Sequence, residues 1–310
     1  MQEKPKICPV CKEGDDFDFI KDYKLKEGNF SLYECLKCKV QFYSPFKKIE
    51  SKDYEAKDSY NISRFLKPAI SRGYHKKFLQ SNKKFPQGTT VLDLGCGTGE
   101  FLSELEKRGC KVFGVDFDGE AIKSARRHFN LQNVYDMPFE DFFKKEDLPR
   151  FDFIFCFEVL QYLDMPLEFA KNLRKILKPG GRIILSQPSK NRMLQGVDEW
   201  DLPSHCLTRW DKESILNLFS RSGFKISCAS YVEQMKILRG ALNSRLRFGL
   251  VAKAEEISKN RKVFFSPRFV YFLGRVKGFV ISFFPAFFLW FGKILKKENG
   301  IIYLELRINE

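Results

Sequence analysis

The chain has 310 residues, of which 44% are hydrophobic and 30% are charged, so it is long enough for about two globular domains and is neither disordered nor collagen-like. Its 54 Lys and Arg outnumber its 39 Asp and Glu, and the formal net charge of +15 indicates an anionic partner such as nucleic acid, a membrane surface or a phosphorylated compound. Nine cysteines with no apolar leader ahead of them lead us to expect a cytoplasmic, reducing compartment rather than a disulfide framework.

Two pairs of cysteines lie near the N-terminus. They are Cys8-Pro-Val-Cys11 and Cys35-Leu-Lys-Cys38, with 23 residues between the pairs. Structural zinc takes four ligands in a tetrahedron, and each C-x2-C pair supplies two thiolates from one tight turn. The spacing therefore predicts that residues 1–46 form a small zinc-ribbon-like module, in which these four cysteines bind a structural Zn²⁺ with no open coordination position.

Residues 47–88 and 89–234 carry different patterns. In the first segment apolar residues recur at helical spacing, which predicts a helical cap or linker. In the second, short apolar runs alternate with amphipathic helical segments, and residues 299–310 add one more apolar run, IIYLELRI. Alternation of this kind favours a doubly wound α/β sheet, with the segment 235–298 inserted before its last strand.

A glycine-rich turn follows the first strand of this sheet. The sequence there is Asp93-Leu-Gly95-Cys-Gly97-Thr-Gly99, and the second strand ends at Asp116. Glycines allow backbone amides to approach a ligand at the start of a helix, and an acid at the next strand end can accept hydrogen bonds from ribose hydroxyls. The loop is G-x-G-x-G rather than the dinucleotide pattern G-x-G-x-x-G. Together these features predict a site for a nucleoside-like cofactor.

Four motifs in order resemble those of class I S-adenosylmethionine-dependent methyltransferases. They are Val91 to Glu100, Val115-Asp116, Phe151 to Leu160 and Leu177 to Arg182. The resemblance covers about half of the chain. It implies a doubly wound, seven-stranded Rossmann-like methyltransferase sheet and S-adenosyl-L-methionine as the cofactor, behind the N-terminal zinc-ribbon-like module.

The resemblance also implies roles for residues of the glycine turn. Gly95, Gly97 and Gly99 would line the methionine and ribose part of the cofactor. Asp93 would lie beneath the loop, oriented toward the methionine ammonium. Asp116 would hold the ribose diol.

Three further cofactor contacts follow from the same resemblance. The loop Met137 to Asp141 matches the region that contacts adenine in the family, so Phe139 and Glu140 are the expected contacts there, and a solvated loop acid is the alternative for Glu140. Many members carry an acid one or two residues earlier, where this chain has Pro138. Phe157, at the end of the fourth strand, would lie beside the transferable methyl group.

The acceptor side departs from the family in one respect. After Glu158-Val-Leu the family often has Glu-His, but this chain has Gln161-Tyr162, which removes one general base. The stretch from Pro203 to Arg209 resembles a Pro-x-His-x-x-Thr-Arg pattern of some small-molecule members. His205 is therefore the expected catalytic base or substrate contact, and the alternative is a structural histidine that bonds a loop carbonyl.

The insertion at residues 235–298 concentrates the positive charge. Residues 235–297 hold 14 Lys and Arg against two Glu, and residues 261–297 alone carry ten Phe and eight Lys or Arg. No uncharged apolar run reaches the ~18–20 residues that span a bilayer. An amphipathic helical pair at the inner face of an anionic membrane would use both the rings and the cations. Packing on the protein or in a homodimer, and nucleic-acid binding, are the alternatives.

Three functions follow from these observations. The first is a methyltransferase for a small-molecule or lipid-linked acceptor, such as a saccharide or polyprenyl intermediate, methylated at O or C. The second is an RNA methyltransferase, against which the fourth strand ends in Cys-Phe-Glu-Val rather than Asn/Asp-Pro-Pro-Tyr. The third is a non-catalytic binding member of the fold, against which the glycine loop and Asp116 are intact.

Overall fold

The computed structural model describes residues 5–25, 28–46, 72–192, 201–203, 206–232 and 300–309. Residues 1–190, 194–230 and 302–310 form one compact unit, and residues 191–193 and 231–301 form a second. His205, the insertion 235–298 and most of the cap 47–88 lie outside the described residues. The account below therefore concerns the N-terminal module and the sheet that follows it.

The strands of the described residues form two sheets. A seven-stranded sheet has the order β10-β11-β8-β7-β4-β5-β6, and a four-stranded sheet has the order β1-β2-β3-β9. The strand bounds are β1 Phe17–Leu25, β2 Gly28–Cys35, β3 Gln41–Ser44, β4 Thr90–Leu94, β5 Lys111–Asp116, β6 Val134–Asp136, β7 Phe151–Phe157, β8 Leu177–Pro188, β9 Thr208–Arg209, β10 Phe224–Val232 and β11 Ile301–Ile308. The predicted seven-stranded Rossmann-like sheet is confirmed.

The central strands of the larger sheet are parallel and buried. β4 pairs in parallel with β5 and β7, and β7 pairs in parallel with β8. All five residues of β4 are buried, as expected for a strand covered by helices on both faces. The direction of winding reverses between β4 and β7, and a crevice at the carboxyl ends of the strands is the usual ligand position at such a reversal.

Helices alternate with these strands, and two of them begin at an aspartate N-cap. Asp118 accepts a hydrogen bond from the Ala121 amide at 3.1 Å at the start of one helix, and Asp211 forms a capping box with Ser214 at the start of another. The helix bounds are α1 Gly73–Ser81, α2 Glu100–Lys107, α3 Gly119–Phe129, α4 Phe139–Phe142, α5 Pro166–Ile176 and α6 Lys212–Arg221, with a 3₁₀ turn at Leu160–Tyr162.

The strand β8 begins earlier than its sequence predicts. Lys178 to Gly181 reads as a turn because of Pro179 and its two glycines, but β8 starts at Leu177, which pairs with Phe151. The ladder shifts register between Phe151 and Phe153. Gly180 has a φ of 74°, so the irregular backbone is accommodated within the strand rather than ending it.

Much of the phenylalanine surplus in the described residues lies in an aromatic cluster on one face of the sheet. Phe78 and Phe101 meet Phe155 edge-on at 4.8 and 4.9 Å, and Phe157 stacks on Phe155 at 5.6 Å. Such arrangements add to the free energy gained from burying the rings. The cluster fixes α1 and α2 over β7, beside the carboxyl end of that strand.

His75 belongs to this cluster, although Lys76 and Lys77 beside it in the sequence predict a basic, solvated stretch of helix and hence an exposed imidazole. Its side chain is 8% exposed and its ring stacks on Phe101 at 4.4 Å. Burial, with a smaller contribution from Arg72, lowers the pKa of His75 to about 3. The imidazole is therefore neutral at physiological pH and packs as an aromatic ring.

We expect replacement of His75 by Phe to flatten the pH dependence of stability. Between the unfolded pKa of about 6.5 and the folded pKa of about 3, the unfolded chain binds the extra proton, so wild-type stability falls as the pH is lowered. The contribution of this one residue is at most about 1.4 kcal/mol per pH unit. Urea unfolding from pH 7.5 to 4.5 measures the difference between the proteins; parallel curves would contradict the assignment.

Candidate functional site

The four cysteines of the N-terminal module converge at one point. Their Sγ atoms all lie within 4.8 Å of one another and the residues are at most 4% exposed. The Cys8–Cys38 and Cys11–Cys35 sulfur distances are 3.8 and 3.9 Å. A tetrahedron with Zn–S bonds of about 2.3 Å has edges of about 3.8 Å, so this donor set fits zinc.

The backbone around the cysteines has the geometry of two tight turns. Lys12 and Lys39, which follow the second cysteine of each pair, have φ of 58° and 61°. A Cβ on Gly14 would lie 2.5 Å from the Cys35 sulfur, so only glycine fits there. The Cys11 sulfur, together with burial, raises the pKa of Cys8 to about 12, so a bound cation is what would allow all four groups to be thiolates.

The N-terminal module is joined to the larger sheet through β9. Gln41 and Phe42 of β3 pair with Arg209 and Thr208 in an antiparallel ladder. The Tyr43 amide donates to the Leu207 carbonyl at 3.1 Å. The four-stranded sheet is thus completed by a strand that comes from the segment after β8.

A buried lysine strengthens this junction. Lys190 is 5% exposed, and its Nζ lies 2.9 Å from Glu34 of β2 and 3.1 Å from Asp211 at the start of α6. It also donates to the Lys39 carbonyl. A buried ammonium is tolerated only when it is paired and hydrogen-bonded in this way, so the two parts of the unit are held at a defined separation.

The three glycines of the predicted cofactor loop differ in what their surroundings require. Their φ values are 83° at Gly95, 52° at Gly97 and 79° at Gly99. A Cβ on Gly95 would lie 2.9 Å from Val159, and one on Gly99 would lie 2.8 Å from both Ala125 and Leu131. A Cβ on Gly97 would meet no atom within 4 Å. Gly97 therefore borders open space, as a ligand-facing amide requires.

Asp116 links the two strand ends on which the predicted site is built. It is 8% exposed; its Oδ2 accepts from the Gly97 amide at 2.8 Å and its Oδ1 from the Asp118 amide at 2.9 Å. The carboxylate thus holds the glycine loop as well as standing where a ribose diol is expected. The sequence indicated the second role but not the first.

Asp93 provides a buried carboxyl group beneath the loop. It is 3% exposed, and its Oδ1 has no hydrogen-bond partner among the described residues. Burial raises the pKa of this carboxyl well above its usual value, and the nearby Glu100 and Asp116 carboxylates raise it further. A ligand ammonium would supply both the missing donor and the opposite charge, so the chemistry of this position fits the predicted cofactor.

The remaining predicted cofactor residues lie at the start of α4 and at the end of β7. Phe139 begins α4, is half-buried and packs on Phe169 at 5.6 Å, whereas Glu140 is exposed. Phe157 ends β7, is 8% exposed and stacks on Tyr74 at 4.9 Å. The adenine role of the first two and the methyl-side role of Phe157 stay predictions.

The segment before β9 lies against the loop that follows β7. The Leu207 amide donates to the Gln161 carbonyl at 2.8 Å, and the Thr208 hydroxyl donates to the Leu160 carbonyl at 3.2 Å. Gln187 donates to the Gln161 side chain. This places the chain next to His205 at the carboxyl edge of the sheet, while His205 itself lies outside the described residues, so its role stays a prediction.

The comparisons with known proteins agree with this geometry. A family model described as a methyltransferase domain matches residues 62–229. The chain is 30% identical over 159 residues to a ubiquinone biosynthesis O-methyltransferase of Alkalilimnicola ehrlichii, a match covering 44% of this chain and 64% of that protein. A protein of the same name from Coxiella burnetii is 35% identical over 108 residues, covering 34% and 46%. The chain thus spans about half to two thirds of the length of these relatives.

A solved structure has the same fold. Coclaurine N-methyltransferase bound to N-methylheliamine and S-adenosylhomocysteine superposes with a TM-score of 0.50 at 14% identity, covering 78% of this chain and 75% of that one. At this identity the likeness concerns the fold alone.

We expect the glycines of the loop to respond differently to alanine. Gly99→Ala combines a left-handed φ with a clash against α3 and should destabilise the protein by about 2–4 kcal/mol. Gly97→Ala carries only the backbone term of about 1–2 kcal/mol. Urea unfolding of the two variants measures the difference. Equal losses of stability would show that the space beside Gly97 is not open.

Proposed function

The chain belongs to the methyltransferase-domain family, and from this premise we propose that it transfers a methyl group from S-adenosyl-L-methionine to a small-molecule acceptor. The observation that carries the proposal is the arrangement of Asp93, Gly97 and Asp116 at the carboxyl ends of β4 and β5. A buried carboxyl whose Oδ1 has no partner in the described part of the chain, an open amide edge and a second carboxylate at the neighbouring strand end match an amino-acid ammonium and a ribose.

In this proposal each of the three residues has a defined task. The cofactor, when bound, supplies an electrophilic methyl group on a sulfonium. Asp93 accepts the ammonium, Asp116 accepts the ribose hydroxyls while holding the glycine loop, and Gly97 leaves room for the ligand. These residues orient and desolvate the reacting atoms, which is the main contribution that a protein makes to a reaction of this kind.

The class of acceptor is proposed from the relatives. Two of them are named ubiquinone biosynthesis O-methyltransferases, which supports an oxygen acceptor on a small molecule. Deprotonation of a hydroxyl is helped by a general base, and His205 is the residue proposed for it. It lies in the sequence directly before the segment that contacts Gln161.

We further propose that the acceptor is lipid-linked, a saccharide or polyprenyl intermediate, met at an anionic membrane surface through residues 261–297. The support is compositional: ten Phe and eight Lys or Arg in that segment. None of the helices in the described part of the chain has the length and apolar character needed to cross a bilayer. Sedimentation with phosphatidylserine vesicles tests this contact, and co-purification with RNA tests the alternative of an RNA acceptor.

The N-terminal cysteines are proposed to hold a structural zinc ion. The tetrahedral spacing of four buried sulfurs supports this assignment. Because all four positions would be filled by thiolates, no position is left for a substrate. The ion would stabilise the turns that carry β2 and β3.

We expect Asp116→Ala to weaken the binding of S-adenosylhomocysteine by about 1.5–3 kcal/mol, because a charge-assisted pair with the ribose is lost. Titration calorimetry measures the affinity. Asp147→Ala, which removes an exposed carboxylate, serves as the control and should bind as wild type does. Absence of binding by the wild-type chain would refute the proposed function.

We expect the purified chain to contain about one zinc ion, as four thiolates close one tetrahedral site. Cys38→Ser removes one of the four proposed ligands, so this variant should lose the metal. Without the charge of the cation the three remaining thiolates are not compensated, so the variant should also lose part of its stability. Cys228→Ser removes an exposed cysteine and should keep the metal. Elemental analysis by plasma mass spectrometry gives the content; metal loss in both variants alike would contradict the assignment.

A further inference from the structure

Arg209 in β9 carries a buried positive charge for which the described residues provide no partner. The residue is 5% exposed, and its Nε and Nη2 atoms make no hydrogen bond within the described part of the chain. A guanidinium is always charged, and burying it without an anion is strongly unfavourable. Such a group is therefore a candidate for binding an anion that comes from outside the protein.

The neighbours of Arg209 do not supply that anion. Two carboxylates at this junction, Glu34 and Asp211, are both paired with Lys190, and the salt bridges among the described residues include none between Asp201 and Arg209. The Tyr43 hydroxyl donates to the Asp201 carbonyl at 2.5 Å, and burial raises the pKa of Tyr43, so the phenol stays neutral. The positive charge of Arg209 is left uncompensated by these groups.

A second unpartnered group lies on the same face of the four-stranded sheet. Gln41 is paired directly with Arg209, and directly paired residues of an antiparallel ladder share a face. The Gln41 Nε2 donates to Glu34 at 3.0 Å, which leaves its Oε1 buried and without a partner among the described residues. The face thus offers two N–H donors and one carbonyl acceptor side by side.

The position of β9 relates this face to the acceptor side of the site. Leu207 and Thr208, immediately before Arg209, bond the carbonyls of Gln161 and Leu160, which follow β7. The carboxyl end of β7 is where the fold brings the acceptor to the cofactor. β9 therefore runs beside the loop at that end of β7, and a molecule held by Arg209 would also reach Gln41 of the N-terminal module.

We propose that Arg209 binds an oxyanion of the acceptor, a carboxylate or a phosphate, while Gln41 accepts a hydrogen bond from a neighbouring hydroxyl or amide of the same molecule. This inference rests on the proposed function and adds to it the charge of the acceptor. A planar guanidinium whose Nε–H and Nη2–H form one open, two-pronged edge is suited to both oxyanions. The net charge of +15 would favour the approach of either one.

The test is anion binding by the full chain, with Arg209→Met as the variant. Thermal unfolding is followed while sodium phosphate or sodium benzoate replaces sodium chloride at constant ionic strength and pH. We expect a saturable rise in the wild-type melting temperature and at least a tenfold loss of anion affinity in Arg209→Met, about the worth of one charge-assisted hydrogen bond. A response to phosphate only, or to benzoate only, would support the proposal and identify the anion.

Three controls make the result decisive. Arg127→Met removes an exposed arginine and should respond as wild type does. Arg209→Lys keeps the charge and should recover part of the response. In chloride alone Arg209→Met should melt at a higher temperature than wild type, because an unpaired buried charge is replaced by an apolar chain of similar length.

Two outcomes would overturn the proposal. One is an anion response that Arg209→Met shares with wild type, or that wild type lacks. The other is a lower melting temperature of Arg209→Met in chloride with no change in anion affinity, which would mean that a carboxylate of the protein pairs with Arg209. Titration with S-adenosylhomocysteine separates this result from the proposed function: Arg209→Met should bind it normally, and a wild-type chain that fails to bind it refutes the function while leaving the anion result intact.

Discussion

The hydrogen bonds of Asp116 are the interaction on which the site depends. One carboxylate at the end of β5 accepts the amide of Gly97 in the loop after β4 and the amide of Asp118 before α3. The Gly95 and Cys96 amides also donate to the Val115 carbonyl at 2.8 and 3.1 Å, so main-chain and side-chain bonds together join the two strand ends. Because the acceptor of the Gly97 and Asp118 bonds is a single side chain, the glycine loop and the start of α3 are fixed relative to each other, and the carboxylate proposed to bind the ribose is itself held in place.

The charges around this point are arranged to be completed by a ligand. Among the described residues, one oxygen of the buried Asp93 carboxyl and two nitrogens of the buried Arg209 guanidinium have no hydrogen-bond partner. Each costs stability without a partner, and both belong to segments at the carboxyl edge of the sheet. Proteins are only marginally stable, so a buried charge without a partner is seldom kept unless it has a use. The two groups together favour a ligand cation at Asp93 and a ligand anion at Arg209, which are the charges of the proposed cofactor and acceptor.

Sequence reasoning identified the local features and missed the long-range pairings. The glycine loop, Asp116, the cysteine pairs and the sheet strands could be predicted because each depends on residues close in sequence or on a family motif. The burial of His75 depends on Phe101 and Phe157, and the burial of Lys190 depends on Glu34 and Asp211. The residues next to His75 and Lys190 in the sequence show no periodicity that would predict these contacts. The lysines beside His75 instead predicted that it is exposed.

The pairing of β3 with β9 changes what the N-terminal module contributes. The cysteine spacing alone predicts a separate, self-contained module. In the structure, however, Gln41 and Phe42 of its third strand pair with Arg209 and Thr208 of β9. Two of the cysteines lie at the two ends of the turn between β2 and β3, and the Cys38 carbonyl accepts from Asn217 of α6 at 3.3 Å. Whatever holds the four sulfurs together therefore also positions β3, and through β3 the strand that carries Arg209. The proposed metal site and the proposed acceptor side are in this way parts of one structure, although none of the four cysteines needs to touch a substrate.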